Sequence, residues 1–344
     1  MNKSLQEHLM YTVKEMTEVR IQSLEFPQVP YFVYLLEDKQ GRRILWKSQK
    51  KYRTNSKIHI SQSVSTKSFH IGIIGSGVTG TGIAAVVLRT GSTATVFIRN
   101  KHSVDAVTKR IHDFLIPFVG LERANQLLSA LRVTDILSEL KDSDLVIETI
   151  DEDLASKRKA YLAIEPYLRK NAILATNTSS LSIDALSSVL KHKSRFIGMH
   201  FFNPITKMKL VEIIGGKRTS AQAVAFTQRI ATALEKQVIV VRKGTEGFIV
   251  NRLLFAFLSE AVKIYEENVA SAKDIDTAIE LGLNHPLGPF KLMDLIGIDL
   301  SLEILSNLSH LYRKPAKLRG LRKLVRNGLL GRKTGTGFYQ YDKK

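Results

Sequence analysis

The chain of 344 residues contains no cysteine. This absence excludes disulfides, thiolate metal sites and cysteine nucleophiles, and it leaves the redox compartment undecided. No stretch approaches the roughly 18 uninterrupted apolar residues that a membrane-spanning helix requires. The first twenty residues contain Glu7, Glu15 and Glu18 and no long apolar block, so they resemble neither a secretory signal nor a transit peptide. We therefore expect a cytoplasmic protein with no membrane partner and no metal site.

Acidic residues are scarce beside basic ones. The chain has 51 Lys and Arg against 32 Asp and Glu, a net charge of +19, and residues 39–57 and 313–333 contain no acid at all. Such a charge attracts anions, whether a CoA ester, a dinucleotide or a nucleic acid, although a solvated basic surface is the ordinary interpretation. Neither stretch predicts a platform of interleaved aromatic residues. Nucleic acid is therefore not the expected partner, but a nucleic-acid-binding protein stays open as an alternative.

The first 68 residues predict local structure without chemistry. Apolar residues near helical spacing predict an amphipathic helix over 5–24. Two strand-like runs, 31–37 and 43–47, are separated by a turn and predict a hairpin. Four serines and neither glycine nor proline in residues 61–68 indicate a linker. We treat 1–68 as an N-terminal extension of unknown role.

From residue 69 onward strand patterns alternate with helical patterns. The apolar strand candidates are 70–74, 94–98, 145–148, 172–175 and 195–200, with a helix at 81–89 after the first. This alternation predicts an α/β fold, a Rossmann domain with a doubly wound parallel sheet, over 69–248. The pattern then becomes helical, which predicts an all-α C-terminal domain over 249–344. Its predicted helices are 250–267, 273–281, 289–308 and 317–327.

A glycine-rich loop joins the first predicted strand to the first predicted helix. Glycines at 75, 77 and 80 match the GxGxxG pattern in the strand-turn-helix context that gives it a mechanism. Gly75 makes the turn, Gly77 lets the backbone approach a pyrophosphate, and Gly80 allows the helix to pack closely on the strand. We expect a dinucleotide here; an ordinary tight turn is the structural alternative.

The end of the second strand departs from the pattern of NAD-binding proteins. An acidic residue is expected there to bind the ribose 2′-hydroxyl, but the chain has Ile98 followed by Arg99. An arginine can bind a 2′-phosphate, so NADP is an alternative to NAD. Arg99 could equally stack on the adenine or face solvent while NAD binds through its other contacts.

Several further motifs follow the glycine loop in a fixed order. They are NTSSLSI at 177–183, GMHFFNP at 198–204, KLVE at 209–212 and GFIVNR at 247–252. In this order they closely resemble the 3-hydroxyacyl-CoA dehydrogenase family, which includes 3-hydroxybutyryl-CoA dehydrogenases. Residues 285–290 and 331–339 resemble the helical C-terminal domain of the same family. The resemblance covers about 69–341.

The resemblance gives the motifs a chemistry. Oxidation of a secondary alcohol needs a base that removes the hydroxyl proton near neutral pH, which suits an imidazole. The resemblance implies that His200 is this base and that Glu212 hydrogen-bonds its other ring nitrogen, as in a catalytic triad. It also implies that Ser179 hydrogen-bonds the reacting oxygen and that Asn251 holds substrate and base in line. The expected reaction converts (S)-3-hydroxyacyl-CoA and NAD(P)⁺ into 3-oxoacyl-CoA.

The resemblance extends to cofactor contacts and assembly. It implies that Glu152, Lys157, Asn203 and Lys333 contact the dinucleotide. It further implies an acyl-CoA substrate, a place in fatty acid metabolism such as β-oxidation, and a homodimer formed through the helical domain.

Each of these residue types also has an ordinary structural role. A histidine after a strand is often structural, and a lone glutamate such as Glu212 is often a surface carboxylate. The serine-rich turn at 178–182 and Asn251 could cap helices, and Glu152 and Lys157 could begin an exposed helix.

The sequence departs from the family in two places. Glu246 stands where many relatives have proline, and the segment from Arg99 to Leu145 is shorter than expected. Some relatives project a lysine-bearing helical hairpin from this segment onto CoA, and we cannot match Lys109 or Arg110 to it. A small hydroxy acid such as gulonate therefore stays open as an alternative substrate.

Overall fold

The computed structural model describes the backbone of residues 9–19, 31–38, 43–48 and 57–60, and residues 68–307, 309–311 and 316–342. The chain forms two compact units, Met1–Ser68 and Phe69–Lys344. The described part of the first unit is a four-stranded antiparallel sheet in the order β3-β2-β1-β4. Its strands are β1 (Leu9–Val19), β2 (Tyr31–Asp38), β3 (Arg43–Ser48) and β4 (Lys57–Ile60).

This sheet confirms one N-terminal prediction and contradicts another. The predicted hairpin is present as the antiparallel pair β2 and β3. The predicted helix over 5–24 is wrong, because β1 occupies 9–19 and pairs with both β2 and β4. Tyr11, Val13 and Val19 are aromatic or β-branched residues that favour strands, and pairing on both sides outweighs a spacing that also fits a helix. The predicted linker at 61–68 lies, apart from Ser68, outside the described residues.

The second unit is built on an eight-stranded sheet in the order β12-β11-β10-β9-β8-β5-β6-β7. Neighbouring strands are parallel except β10 and β11, which are antiparallel. The chain winds from β5 outward through β6 and β7, then returns to β8 on the other side of β5. The carboxyl ends of β5 and β8 therefore border the point where the winding reverses, which is where open α/β sheets bind ligands. The strands are β5 (His70–Ile74), β6 (Thr93–Phe97), β7 (Leu131–Thr134), β8 (Leu145–Glu148), β9 (Ile173–Thr176), β10 (Phe196–Phe201), β11 (Leu210–Gly215) and β12 (Gln237–Val241).

Helices cover both faces of this sheet. Alternate side chains of β5 enter different apolar clusters, since Ile73 belongs to one and Ile74 to the other. This two-sided burial explains why the strands are nearly continuous apolar runs, and why they were predictable from sequence. The helices are α1 (Val78–Arg89), α2 (Val104–Val119), α3 (Leu121–Leu127), α4 (Leu154–Ile164), α5 (Ile183–Ser187) and α6 (Ala221–Ala233).

The remainder of the second unit is helical and has an apolar cluster of its own. Its helices are α7 (Val250–Glu266), α8 (Ala272–Gly282), α9 (Pro289–Ile296), α10 (Ile298–Asn307) and α11 (Arg319–Arg326). The single helix predicted over 289–308 is wrong, because Gly297 adopts φ +109° and separates α9 from α10. The division between domains at 248 stays a prediction. Within the described residues, no helix combines the length and the apolar character needed to cross a membrane.

Candidate active site

The glycine loop leaves space for a ligand at one position and none at another. Gly75 adopts φ +120°, which favours glycine, and a Cβ on Gly80 would overlap the carbonyl oxygen of Gly75. By contrast, among the described residues no atom lies within 4 Å of the position that a Cβ on Gly77 would take. Gly77 is also the N-cap of α1, where the helix N-terminus favours an anion. The loop therefore has the shape of a pyrophosphate-binding turn.

Strand β6 ends beside this loop, because β5 and β6 are neighbours and Ile74 lies opposite Phe97. Ile98, which follows β6, is only 2% exposed, whereas Arg99 is exposed. The side chain at the position expected to be acidic thus lies in the core, and the next side chain is an arginine on the surface.

His200 and Glu212 meet across two antiparallel strands. They are directly opposite each other in the register of β10 and β11, and His200 Nδ1 lies 2.9 Å from Glu212 Oε2. Both side chains are buried. Among the described residues, Nδ1 is the only ring nitrogen of His200 that has a hydrogen-bond partner. Nε2 is therefore available to hydrogen-bond a bound molecule. A carboxylate on Nδ1 favours the tautomer with its proton there and stabilises the protonated ring.

The second oxygen of Glu212 connects the dyad to the helical domain. Oε1 accepts hydrogen bonds from the backbone N–H groups of Ile249 and Val250, each at 3.0 Å. These N–H groups stand at the start of α7, where the helix dipole favours a negative charge. Phe202 and Phe248 pack edge-on against the His200 ring, with centroids 4.5 and 5.6 Å away. The imidazole is therefore held by one carboxylate and two aromatic rings.

Ser179 lies in a turn that is organised by Glu152. Glu152 Oε1 accepts hydrogen bonds from Thr178 Oγ1 (2.6 Å), Ser179 N (2.8 Å) and Ser180 N (3.0 Å). Burial of Glu152 opposes its ionisation, but the Lys157 ammonium and these hydrogen bonds outweigh burial and hold the pKa of Glu152 below its usual range. The turn is thus centred on a carboxylate that stays ionised at neutral pH.

A buried network of charged and hydrogen-bonded side chains contacts Glu152, the residue that organises this turn. No sequence pattern had indicated this network. Glu148 Oε1 accepts from Lys157 Nζ at 2.7 Å, and Oε2 accepts from Tyr161 Oη (2.6 Å) and Thr176 Oγ1 (2.9 Å). Lys157 Nζ also lies 3.4 Å from Glu152 Oε2. The one available signal was a glutamate at the end of an otherwise apolar strand, since a buried carboxylate requires partners.

The other predicted site residues are spread more widely. Asn177 Oδ1 accepts from Phe201 N at 2.9 Å and ties the Ser179 turn to the strand that carries His200. Asn251 is partly buried in the first turn of α7, and Asn203 is exposed in the loop after β10. Lys333 lies in the helical part, where it forms an ion pair with Asp299. Lys157 is buried among carboxylates with 1% of its side chain exposed.

The two departures from the family have defined structures. The short segment after β6 still forms two helices, α2 and α3. Lys109 pairs with Asp113 on its own helix, whereas Arg110 Nη1 donates to the carbonyl oxygen of Ser76 in the glycine loop, 3.0 Å away. Glu246 stands in place of the family's proline, and its Oε2 lies 2.6 Å from His310 Nε2.

Comparison with known proteins adds independent information. Residues 70–245 match the model of the 3-hydroxyacyl-CoA dehydrogenase NAD binding domain, and residues 247–341 match that of the 3-hydroxyacyl-CoA dehydrogenase C-terminal domain. The matched domain indicates NAD as the cofactor, and the glycine loop, with its open space at Gly77, fits a dinucleotide.

Similar proteins carry matching names. The mitochondrial hydroxyacyl-coenzyme A dehydrogenase of Sus scrofa is 36% identical over 79% of this chain and 91% of its own length. The 3-hydroxybutyryl-CoA dehydrogenase of Clostridioides difficile is 38% identical over 79% of this chain and 99% of its own length. The crystal structure of (S)-3-hydroxybutyryl-CoA dehydrogenase from Ralstonia eutropha superposes with a TM-score of 0.73 at 36% identity, covering 80% of this chain and 100% of that one.

Proposed function

Since the chain belongs to the 3-hydroxyacyl-CoA dehydrogenase family and is an NAD-dependent oxidoreductase, we propose that it interconverts (S)-3-hydroxyacyl-CoA and 3-oxoacyl-CoA with His200 as the base. The observation that carries the proposal is the contact of His200 Nδ1 with Glu212 Oε2, 2.9 Å long and buried at the carboxyl end of β10. This arrangement leaves Nε2 to exchange a proton with a substrate hydroxyl.

In the oxidative direction His200 Nε2 removes the proton of the C3 hydroxyl group. NAD⁺, when bound at the glycine loop, would supply the hydride acceptor for C3, so that the overall products are 3-oxoacyl-CoA, NADH and one proton. Glu212 stabilises the imidazolium as it forms, which is the role of the carboxylate in a catalytic triad. Its contact with the first turn of α7 keeps the carboxylate in place while the ring changes charge.

Ser179 and Asn251 would orient the substrate. The Ser179 hydroxyl, which donates to Glu152 Oε1 at 3.3 Å, would turn to hydrogen-bond the reacting oxygen, and the Glu152-centred turn fixes the backbone that carries it. Asn251 approaches from the start of α7, the same turn that Glu212 binds. Orientation of this kind lowers a barrier by several kcal/mol, since roughly 7–11 kcal/mol is available from proximity alone. Glu152, Asn203 and Lys333 are the proposed contacts with the dinucleotide, and Lys157, whose side chain is buried, would act on it through its ion pair with Glu152.

The test is turnover by the full chain. We expect oxidation of NADH by acetoacetyl-CoA, followed at 340 nm, and little or no reduction of NAD⁺ with gulonate. His200→Gln should abolish turnover and retain NADH binding, measured by fluorescence. His192→Gln, an exposed histidine away from the dyad, is the matched control and should keep full activity. Gulonate oxidation without acetoacetyl-CoA reduction would instead assign a small hydroxy acid, and His200→Gln with normal turnover would refute the base.

We also propose that the chain forms a homodimer through its helical part. Large apolar side chains are exposed there, including Leu281 at 83%, Val269 at 69% and Leu283 at 61%. Such a set on a helical surface is typical of a protein interface.

A cytoplasmic location remains part of the proposal. The Sus scrofa relative carries the word mitochondrial in its name, so fluorescence microscopy of the tagged chain with a mitochondrial marker is the deciding measurement. Colocalisation with the marker would overturn the proposed cytoplasmic location.

A further inference from the structure

The end of β6 offers the adenosine ribose no acceptor where one is expected. In dinucleotide-binding domains an acidic side chain at this position accepts a hydrogen bond from the 2′-hydroxyl. Here Ile98 is 2% exposed and belongs to the apolar cluster on one face of the sheet. Its amide donates to Thr134 O at 2.8 Å and continues the pairing with β7. An aliphatic side chain directed into the core cannot recognise an unphosphorylated ribose.

The residues that follow Ile98 are cationic and exposed. Arg99 and Lys101 are exposed, and neither side chain forms a hydrogen bond or ion pair with another residue in the described part of the chain. Asn100 Oδ1 accepts from His102 N at 3.0 Å, which fixes the turn that Arg99 begins. Arg99 thus directly follows the position expected to bind the ribose, and its guanidinium has no partner for its charge among the described residues.

A second arginine adds positive charge to the same edge of the sheet. Arg110, on α2, donates to Ser76 O in the glycine loop. The glycine loop follows β5 and Arg99 follows β6, and these strands are neighbours in register. An anion bound between the two loops would thus lie in a field set by two guanidinium groups.

Two acids stand in the segments on either side of Arg99 at this edge. Asp105 lies in the first turn of α2, and Asp135 follows β7, whose Thr134 lies opposite Phe97. Both are exposed. Asp135 is the carboxylate that could bind a ribose hydroxyl in place of the missing acid at 98. Recognition of an unphosphorylated ribose by Asp135 is therefore the alternative that a test must include.

We infer that Arg99 forms a subsite for the 2′-phosphate of NADP(H), so that this NAD-binding domain also accepts the phosphorylated dinucleotide. A guanidinium binds a phosphate with two parallel hydrogen bonds, and the phosphate brings nearly two negative charges at neutral pH. The subsite presupposes dinucleotide binding at the glycine loop, as the proposed function does, but it does not depend on the role of His200.

Calorimetric binding of two cofactor fragments to the full chain tests the subsite. Adenosine 2′,5′-bisphosphate should bind about tenfold more tightly than adenosine 5′-monophosphate, as expected for one charge-assisted contact. Arg99→Ala should bring the two affinities together and leave that of the monophosphate within about twofold. Arg123→Ala removes an exposed arginine on α3 and should keep the tenfold ratio.

Three outcomes would overturn the subsite. Equal affinity of the wild-type chain for both fragments is one, and an unchanged ratio in Arg99→Ala is another. The third is a preference for the monophosphate that Asp135→Asn abolishes, because it would assign ribose recognition to Asp135. Since fragment binding is measured without an acyl-CoA, failure of the proposed reaction leaves this result unaffected, and failure of the subsite leaves the reaction standing.

Discussion

His200 and Glu212 occupy opposite positions in one antiparallel strand pair, and imidazole and carboxylate lie 2.9 Å apart. Directly opposite residues in such a pair have Cβ atoms only about 4.5–5.5 Å apart. The contact therefore requires no loop to hold it. Because the same carboxylate binds the start of α7, the geometry of the dyad is coupled to the placement of the helical part.

Glu212→Gln should separate catalysis from cofactor binding. A glutamine can still offer its oxygen to the N–H groups of Ile249 and Val250, but it then donates its amide to Nδ1. The ring would keep its proton on Nε2, where it cannot act as a base. We expect kcat to fall by about a hundredfold or more, with NADH affinity unchanged. Glu260→Gln, an exposed change on α7, should have no effect, and near-normal kcat in Glu212→Gln would contradict the dyad.

Substitutions of two glycines in one loop should affect different properties. Gly80→Ala should lower stability, and Gly77→Ala should weaken NADH binding. Gly80→Ala places a Cβ into the Gly75 carbonyl oxygen, so we expect a loss of roughly 1–3 kcal/mol in the free energy of unfolding. Gly77→Ala meets open space and should change stability by less than about 1 kcal/mol. It should nevertheless weaken NADH binding, because its methyl group occupies the space of the pyrophosphate. Urea unfolding and fluorescence titration measure the two effects, and unchanged NADH affinity in Gly77→Ala would refute this placement.

The sequence indicated the sheet well because its strands are buried on both faces. The apolar runs that become β5, β8 and β9 admit one interpretation when glycines and helical patterns separate them. The apolar spacing of β1 fits the periodicity of a helix as well as that of a strand, so the sequence predicted a helix there. Pairing with β2 and β4 makes the segment a strand. The helix break at Gly297 comes from a backbone conformation, φ +109°, which a hydrophobic pattern does not indicate.

The site was less accessible to sequence reasoning than the fold. The motifs singled out His200, Glu212 and Ser179, but the contacts that hold them depend on how strands and helices are placed in space. The ion pair of Glu148 and Lys157 joins the end of β8 to α4. No local sequence pattern indicates such a contact. The contact of Glu212 with α7 was likewise invisible, because it depends on where the helical part begins relative to β11.

Removal of Lys157 should be costly because it leaves Glu148 as an uncompensated buried carboxylate. We expect Lys157→Met to lower the free energy of unfolding by roughly 3–5 kcal/mol, measured by urea denaturation. Adding Glu148→Gln to this variant removes the orphan charge and should restore part of the loss. Lys159→Met, an exposed lysine on the same helix, should cost about 0.5 kcal/mol or less. A loss in Lys157→Met no larger than that control would show that the pair is dispensable.

Glu152 should contribute stability only above acidic pH. Its pKa lies below the ordinary value of 4.5 because Lys157 and the Ser179 turn outweigh the effect of burial. A lowered pKa in the folded state gives a contribution that is complete above 4.5 and is lost as the pH falls through the lowered pKa. The melting temperature of Glu152→Gln should therefore lie below that of the wild type at pH 7, and the gap should close in acid. A gap that is constant from pH 7 to pH 3 would contradict this assignment.

The proposed homodimer makes a prediction about exposed leucines. Leu281 and Leu283 lie at the C-terminal end of α8, and burying them against a second copy would remove a large apolar surface from water. Two charges at the core of an interface cannot be solvated there, so Leu281→Asp with Leu283→Asp should raise the dimer dissociation constant roughly thirtyfold or more. Leu121→Asp, on α3 with 59% exposure, introduces a charge outside the helical part and should leave the dimer intact. Light scattering after gel filtration measures the mass, and a wild-type chain that elutes as a monomer at micromolar concentration would end the dimer proposal.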